Sequence, residues 1–191
     1  MILTGAEITK RVADGSITIS PFSSLQVNPN SYDYRLGPDL IEMRSTPARL
    51  AVRPEIDEPM AVASQRQITI GPDGLVLQPG RLYLGRTAER LGSTDHVSTL
   101  IGKSSMGRLG LFLQVDACLG HQGVAHRWTL ELCARLPLRV YAGQIVGQIS
   151  FWRTEGEMLA YKGVYGVLDE PTPNGSAAMI STVEPRKVTA L

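Results

Sequence analysis

The amino-acid sequence predicts a mainly β fold, and three properties of the 191-residue chain lead to this prediction. Charged residues make up 19% of the chain, below the ~25% that is usual in globular proteins. Turn-forming residues are abundant, with 19 glycines and 12 prolines. Short apolar segments recur at a spacing of roughly 8–12 residues, which is typical of a sandwich or barrel of jelly-roll type. We therefore expect many short strands, joined by tight turns, and few helices.

The first element is predicted to be a helix that extends from Thr4 to Gly15. Thr4 and Glu7 form a capping-box pattern at its start. Ile8 and Val12 lie four residues apart, on one face of the helix. Gly15 suits the left-handed position that commonly ends a helix.

Strands are predicted from residue 16 onwards, where apolar and polar residues alternate. Residues 16–20 form the first strand, residues 21–30 are rich in turn formers, and residues 31–37 (SYDYRLG) follow. Residues 44–66 contain three prolines and are expected to be a long surface excursion with at most one short strand. Further strands are predicted on both sides of the turn Gly71–Gly74, with Ile68 and Ile70 before it and Leu75 and Leu77 after it, and then at 82–85, 97–101, 128–133, 138–141 and 145–152.

The length of the chain predicts one domain. We expect residues 1–170 to form a single β domain. Residues 171–191 are polar and contain proline and glycine, so they are predicted to be a flexible C-terminal tail.

Charge, hydropathy and cysteine content exclude several classes of function. A net charge of +1 provides no broad positive field for nucleic acid or an anionic membrane. No apolar run reaches the ~18–20 residues that a membrane-spanning helix needs. The N-terminus becomes polar after three residues, so it does not resemble a secretory signal, and two cysteines do not form a disulfide framework. We therefore expect a cytoplasmic protein with neither nucleic-acid nor membrane partners.

The first candidate site lies in residues 102–110 (GKSSMGRLG). Ser104 and Ser105 stand at a predicted helix start, and Lys103 and Arg108 flank them with positive charge. Hydroxyl and cationic donors at this spacing indicate an anion pocket that would suit a phosphate chain. The order of residues is not that of a P-loop. A short capped helix with solvated charges is the alternative.

The second candidate is Glu131, within the apolar segment 127–133. Strand alternation places Trp128, Leu130 and Leu132 on one face, with Glu131 and its neighbours on the other. A carboxylate in this position either faces solvent or lies in a pocket where desolvation would raise its pKa. The second arrangement would suit a general base or acid near pH 7.

A metal site is considered for Cys118, His121, His126 and Cys133, because cysteine and histidine are zinc ligands. No two cysteines stand two residues apart, and the motifs of zinc deaminases are absent. We therefore expect no metal site.

The segment 31–37 contains Tyr32, Asp33 and Arg35. The oppositely charged Asp33 and Arg35 lie two residues apart on a predicted strand. Such a pair more often braces a sheet or an interface than performs chemistry. We expect a structural role for it.

Together these segments resemble the deoxycytidine triphosphate deaminase family, within the deaminase–dUTPase superfamily. The similarity is collinear over roughly residues 1–168. The segment GKSSMGRLGL at 102–111 is the most specific match. The other matching segments are residues 1–37, 77–80, 84–87, Ala117, 129–131, 136–137 and 143–148.

The resemblance implies a fold, an assembly and a reaction. The fold would be a distorted jelly-roll or β-barrel of the dUTPase-like type. The chain would form a homotrimer with active sites between subunits. The reaction would be the metal-free hydrolytic deamination of a cytosine nucleotide, dCTP or a related one, to the uracil nucleotide and ammonia. Mg²⁺ would accompany only the phosphates of the substrate.

The resemblance also implies roles for individual residues. Glu131 would take a proton from water, the hydroxide would attack cytosine C4, and Glu131 would pass protons to N3 and to the departing ammonia. Arg108 would hold the water and the developing charge. Lys103, Ser104 and Ser105 would contact phosphate. Base or sugar contacts would come from Asp116, Ala117, His121 and Thr129, and the C-terminal closing segment would contain Tyr161 and Tyr165.

This chain departs from the family pattern in the loop before Glu131. His121 stands where the superfamily has an aspartate that receives the deoxyribose hydroxyl. Val124 replaces an aromatic residue, and Asp116 replaces a small hydroxyl residue. An imidazole can donate, accept or carry charge, so sugar recognition is expected to differ. The lysine and glutamine expected near residues 164 and 168 are missing as well.

Two other functions stay open at this point. One is a nucleotide pyrophosphohydrolase, either dUTPase-like or bifunctional, in which deamination is combined with release of a monophosphate. The other is a non-catalytic regulatory module that binds a nucleotide on the same scaffold. The presence of Glu131 favours an enzyme, because binding alone does not require that carboxylate.

Overall fold

The computed structural model describes residues 1–44, 65–113 and 118–173, and antiparallel strands dominate them. The helices are α1, Gly5–Asp14, and α2, Ser104–Arg108, with 3₁₀ turns at Ser24–Gln26 and Val164–Val167. The strands are β1 Ile17–Ser20, β2 Tyr32–Arg35, β3 Asp39–Met43, β4 Gln65–Thr69, β5 Leu75–Leu77, β6 Leu82–Arg86, β7 Arg90–Ser93, β8 His96–Gly102, β9 Leu111–Leu113, β10 Leu119–Gly120, β11 Val124–His126, β12 Thr129–Ala134, β13 Leu138–Val140 and β14 Ile145–Arg153.

The strands form antiparallel sheets whose order is fixed by long-range pairing. One sheet has the order β10-β8-β14-β2, and a larger one has the order β4-β3-β6-β12-β9. A third has the order β1-β7-β11, and β13 pairs with β5. The mainly β prediction is confirmed. Within the described residues none of these sheets closes on itself as a barrel, and no described helix has the length and apolar character to cross a membrane.

The core lies between the inner faces of these sheets. Its largest fully buried side chains include Tyr32, Tyr34, Leu130 and Phe151. Burying one large apolar side chain contributes about 1.5–3 kcal/mol, so this cluster is the main source of stability.

Helix α1 follows the capping chemistry of its sequence. The Glu7 N–H donates to the Thr4 hydroxyl (3.3 Å), and Gly15 ends the helix with φ of 83°. Ile8 is fully buried against the core. The predicted helix is confirmed at both ends.

All the strands predicted from alternation are present, but their pairing is not sequential. Strands β4 and β5 flank the turn at 71–74, yet β4 pairs with β3 and β5 pairs with β13. The strands β3, β7, β9, β10 and β11 were not predicted. Most of the predicted excursion at 44–66 and most of the predicted tail, from residue 174 onwards, lie outside the described residues.

The segment 143–148 has a structural explanation. Gly147 lies where a Cβ would overlap the Tyr34 hydroxyl, so close packing of β14 on β2 requires glycine there. The Gln148 side chain accepts a hydrogen bond from the Ser31 hydroxyl (2.7 Å), and the Gln144 side chain accepts one from the Tyr141 N–H (3.1 Å). These contacts join the sheet of β8 to the preceding turns.

Candidate active site

Glu131 lies on the outer face of the five-stranded sheet, in the middle of β12. The predicted alternation is confirmed, because Leu130 and Leu132 are fully buried in the core while Glu131 is half-buried on the opposite face. Its partner across the sheet is Leu84, which in turn pairs with Ile41. The carboxylate is therefore flanked by an apolar row on a sheet surface.

Apolar side chains continue along the next row of this outer face. Cys133 pairs with Leu82 on one side and with Phe112 on the other. All three side chains are exposed, with Phe112 at 44% and Leu82 at 37%. Partial desolvation by neighbouring groups and the negative charge of Glu131 raise the pKa of the Cys133 thiol. Glu131 thus lies near the apolar side chains of Leu84, Leu82 and Phe112 on this face.

The second candidate group lies on α2, which connects the sheet of β8 to the sheet of β9. The predicted short helix is confirmed, and Ser104, Ser105 and Arg108 are all exposed on it. Among described residues, none of these three side chains has a hydrogen-bond or ion-pair partner.

Lys103 precedes α2 and differs from these three residues, because its ammonium group is paired with the buried carboxylate of Asp33. Arg35 also forms an internal pair, donating from Nε to Glu89 (2.6 Å), whose side chain is fully buried. Asp33 and Arg35 brace the sheet, as the sequence predicts. Tyr32 is fully buried in the core, and its hydroxyl accepts a hydrogen bond from the Ser23 N–H (3.0 Å).

The α2 group and Glu131 lie apart within one chain. The Gly110 carbonyl, two residues after Arg108, accepts a hydrogen bond from the Arg135 N–H (2.8 Å). Helix α2 therefore ends beside the C-terminal end of β12. Glu131 lies four residues before Arg135, which at the usual rise per residue is about 13 Å along the strand.

The loop before β11 brings together two predicted site residues that are distant in sequence. The exposed His121 ring stacks on Tyr161, with ring centres 5.0 Å apart and planes inclined by 10°. The Tyr161 N–H donates to the Gln122 carbonyl (3.1 Å). The altered loop and the predicted closing segment are thus in direct contact.

Residues 158–173, which we call the C-terminal strap, follow residues 122–129 in the same direction. Successive contacts join Tyr161 to Gln122, Leu168 to His126, Asp169 to Arg127 and Thr172 to Thr129. The last contact is a hydrogen bond from the Thr172 N–H to the Thr129 hydroxyl (3.2 Å). Thr129 lies two residues before Glu131, so the strap ends close to the candidate base. Tyr165 is partly exposed within the strap.

Asp169 anchors the strap. Its carboxylate accepts a hydrogen bond from the Arg127 N–H (2.9 Å) and pairs with Arg90. Burial alone would raise the pKa of this carboxyl, but the Arg127 N–H and the two arginine charges outweigh burial and lower it.

His126 lies beneath the strap and is 5% exposed. Its Nδ1 donates towards the carbonyls of Arg127 and Leu168, each at 3.1 Å, and its ring packs on Trp128 with centres 4.2 Å apart. Burial lowers the pKa of the His126 imidazole, against the opposing effect of the two carbonyls.

Sequence reasoning did not find Arg86, which lies beside Thr129 on the outer face. Its Nη2 donates to Asp39 (2.9 Å), and its Nε lies 3.5 Å from a Glu170 carboxylate oxygen of the strap. That Nε is buried without a hydrogen bond. No local motif marks this group, because its members come from β3, β6 and the strap.

The four residues considered for zinc are not brought together. Among the described residues, no group of three or more histidine, cysteine or acidic side chains is suitably placed for a metal ion. His126 is directed at carbonyl oxygens, and His121 is stacked on Tyr161. Two other predicted site residues, Asp116 and Ala117, lie outside the described residues.

Comparison with known proteins gives consistent results. A family model described as dCTP deaminase-like matches residues 2–154. A "dCTP deaminase, dUMP-forming" of Leptospira biflexa is 42% identical over 162 residues, covering 85% of this chain and 87% of the relative. A protein of the same name from Hathewaya histolytica is 40% identical over 161 residues, covering 84% and 88%.

A solved structure is similar in fold as well. It is the 2′-deoxycytidine 5′-triphosphate deaminase from Agrobacterium tumefaciens, with a TM-score of 0.60 and 25% sequence identity. The match covers 78% of this chain and 47% of the solved one, so this chain corresponds to about half the length of that protein. The fold, the matched segments and the extent of these matches lead to one conclusion: the chain belongs to the dCTP deaminase-like family.

Proposed function

We propose that this protein converts dCTP to dUMP, with release of ammonia and pyrophosphate. The main support is the name shared by relatives that are 40–42% identical over 84–85% of the chain, dUMP-forming dCTP deaminase. The half-buried Glu131 on an apolar sheet face supplies the carboxylate that the chemistry needs. Of the functions that the sequence leaves open, this is the bifunctional enzyme.

The conversion consumes two water molecules. The first adds to cytosine C4, and the C4–N bond breaks to release ammonia and leave uracil. The second adds to the α-phosphorus, and the bond to the bridging oxygen breaks to release pyrophosphate. dCTP and two waters thus yield dUMP, ammonia and pyrophosphate.

Glu131 is proposed as the general base and acid of the deamination. As a carboxylate it accepts a proton from the attacking water, and the hydroxide forms a bond to C4. The proton then passes to N3, and a further transfer to the amino group lets it leave as ammonia. A positioned general base of this kind contributes about 10²–10⁴ in rate.

Ser104, Ser105 and Arg108 are proposed to bind the triphosphate and the developing charge. The support is that all three are exposed and unpartnered among the described residues. Arginine holds phosphate or an oxyanion through several donors in fixed geometry. Mg²⁺ is expected to arrive with the nucleotide, coordinated by its phosphates. Lys103 would add positive charge at the start of α2.

The active form is proposed to be a homotrimer with sites between subunits. In one chain Arg108 lies on the helix beside the C-terminal end of β12, whereas Glu131 lies in the middle of that strand, about 13 Å before Arg135. We therefore assign Arg108 and Glu131 of one site to different subunits. Exposed apolar residues near Glu131, including Leu82 and Phe112, provide surface for a second copy.

The proposal also includes the domain organisation of the chain and its location in the cell. Residues 1–170 are taken as one domain, in line with the family match over residues 2–154, and 171–191 as the tail. The first three residues of that tail continue the strap, because the Thr172 N–H donates to Thr129. The net charge of only +1 suits a cytoplasmic enzyme with a small nucleotide substrate and neither nucleic-acid nor membrane partners.

The test is to incubate the protein with Mg²⁺ and dCTP and to separate the products by ion-exchange chromatography. dUMP, ammonia and pyrophosphate should form in equal amounts. dUTP, CTP, dCMP and CMP serve as parallel substrates. Accumulation of dUTP without dUMP would leave a deaminase but contradict phosphate cleavage, and failure to convert any of these nucleotides would contradict the proposal as a whole.

A further inference from the structure

Asp33 is a buried carboxylate, and both of its oxygens are engaged. The residue is 5% exposed. Its Oδ1 accepts a hydrogen bond from the Asn28 side-chain amide (2.8 Å), and its Oδ2 pairs with the Lys103 ammonium. The Asp33 backbone carbonyl accepts a third hydrogen bond, from the Gln26 side chain (2.7 Å). This carboxylate is therefore fixed in position by its surroundings.

The pair links β2 to the start of α2 across an intervening strand. Asp33 pairs with Gln148 on β14, and Gln148 pairs with Ile101 on β8, two residues before Lys103. Two strand spacings correspond to roughly 10 Å, which the lysine side chain helps to span. Lys103 thus extends back over the sheet instead of projecting freely from the α2 turn.

We propose that Asp33 is a positioning residue for triphosphate recognition: it holds the Lys103 ammonium at the start of α2, beside Ser104 and Ser105. This inference rests on the proposed function. The Lys103 side chain remains 33% exposed, and an ammonium group has three donors. One donor is directed to Asp33, which leaves others for phosphate oxygens.

The physical advantage is pre-organisation. A free lysine side chain loses most of its rotamer freedom when it binds an anion. With Asp33 in place, that freedom is lost on folding instead, so binding of the phosphate requires less ordering. The opposite role, in which Asp33 competes with phosphate for the ammonium, is the alternative that the test excludes. The two roles predict opposite effects when the Asp33 charge is removed.

The experiment compares the wild type with Asp33→Asn, Lys103→Met and the double variant. The measurements are KM and kcat for dCTP, together with the Kd of inorganic tripolyphosphate from calorimetry. Asp33→Asn should raise KM and Kd by about 3–10-fold, as expected for loss of one ordered charged contact, with kcat changed less than about twofold. Because Asp33 acts through Lys103, the double variant should be no weaker than Lys103→Met alone.

Glu42→Gln is the matched control. Glu42 is also a buried carboxylate, 1% exposed and paired with arginines, but it lies on β3, away from α2. The Glu42→Gln substitution should lower thermal stability while leaving the tripolyphosphate Kd unchanged. Asn28→Ala provides a milder version of the test if Asp33→Asn does not fold, because it loosens Asp33 without removing its charge. It should raise the same constants by a smaller factor.

Lower or unchanged KM and Kd in Asp33→Asn, or in Asn28→Ala where that variant replaces it, would overturn the proposal. The proposal would also be overturned if the fold-increases in KM and Kd caused by Asp33→Asn and by Lys103→Met multiplied in the double variant. The tripolyphosphate Kd separates this inference from the proposed function. Suppose that the wild type binds tripolyphosphate more tightly than Asp33→Asn does, but does not convert dCTP. That result would contradict the proposed function and leave the role of Asp33 intact.

Discussion

At the residue scale, the candidate site depends on charged groups in partly apolar surroundings. Glu131 has Leu84 beside it on the sheet. The pKa of the Cys133 thiol, two residues away, is raised by partial desolvation and by the Glu131 charge. His126, beneath the strap, has a lowered pKa because it is buried. Strand alternation alone predicts the position of Glu131. The burial of His126 could not be predicted, because it depends on the strap, which is 42 residues further along the chain.

His126 predicts a dependence of stability on pH. An unfolded histidine has a pKa of about 6.5, and the folded value lies below it. In the interval between the two, the unfolded chain binds a proton that the folded chain does not, so stability falls as the pH decreases through this interval. His126→Asn retains an N–H donor in place of Nδ1 but does not titrate.

Urea unfolding at about pH 7.5 and about pH 5.5 measures this effect. The free energy of unfolding should decrease more in the wild type than in His126→Asn over this range. Equal decreases in the two proteins would show that His126 does not contribute.

At the scale of the elements, the sequence predicts best what local chemistry determines. Helix α1 is predicted to within a residue because its caps are encoded locally. Strand β3 was missed because it contains Glu42, whose buried charge is compensated by Arg44, Arg66 and Arg81. Strands β10 and β11 are only two and three residues long, and they are formed through pairing with β8 and β7. Such tertiary pairing leaves no clear periodicity in the sequence.

The strap is the element whose attachment can be tested most simply. Asp169→Ala removes the acceptor for the Arg127 N–H and the partner of Arg90. Residues 158–173 should then exchange amide hydrogens and be cleaved by proteases several-fold faster, while the melting temperature of the β domain changes little.

Glu170→Gln is the control for this prediction. Glu170 is 71% exposed, and its contact with Arg86 is a surface ion pair of small value. The Glu170→Gln substitution should leave the rates of amide exchange and of proteolytic cleavage in the strap nearly unchanged. Equal acceleration in Asp169→Ala and Glu170→Gln would contradict the anchoring role of Asp169.

At the scale of the whole molecule, the residues with predicted chemistry are separated within one chain. From the sequence, Arg108 and Glu131 are assigned to one active site only because of the family resemblance. The sheet register instead puts α2 beside the far end of β12. The proposed sites between subunits would reconcile the two observations. The group of Arg86, Asp39 and Glu170 could not be predicted, because it forms only when β3, β6 and the strap meet.

Mixing two inactive variants tests shared sites directly. Glu131→Gln and Arg108→Gln should each be nearly inactive alone. After unfolding and refolding together in equal amounts, about a quarter of the sites in random trimers combine an intact Glu131 from one chain with an intact Arg108 from another. Activity should return to roughly that level. No recovery, with mixed trimers demonstrated by mass spectrometry, would contradict shared sites.

The most direct test of the central claim is the conversion of dCTP by the wild type and by Glu131→Gln, measured in parallel. The wild type should produce dUMP, ammonia and pyrophosphate in equal amounts. Glu131→Gln should lose about 10²–10⁴ in kcat, because it lacks the general base, while still binding inorganic tripolyphosphate with the Kd of the wild type. A variant whose kcat lies within about twofold of the wild type, or a wild type that forms no dUMP, would contradict the account.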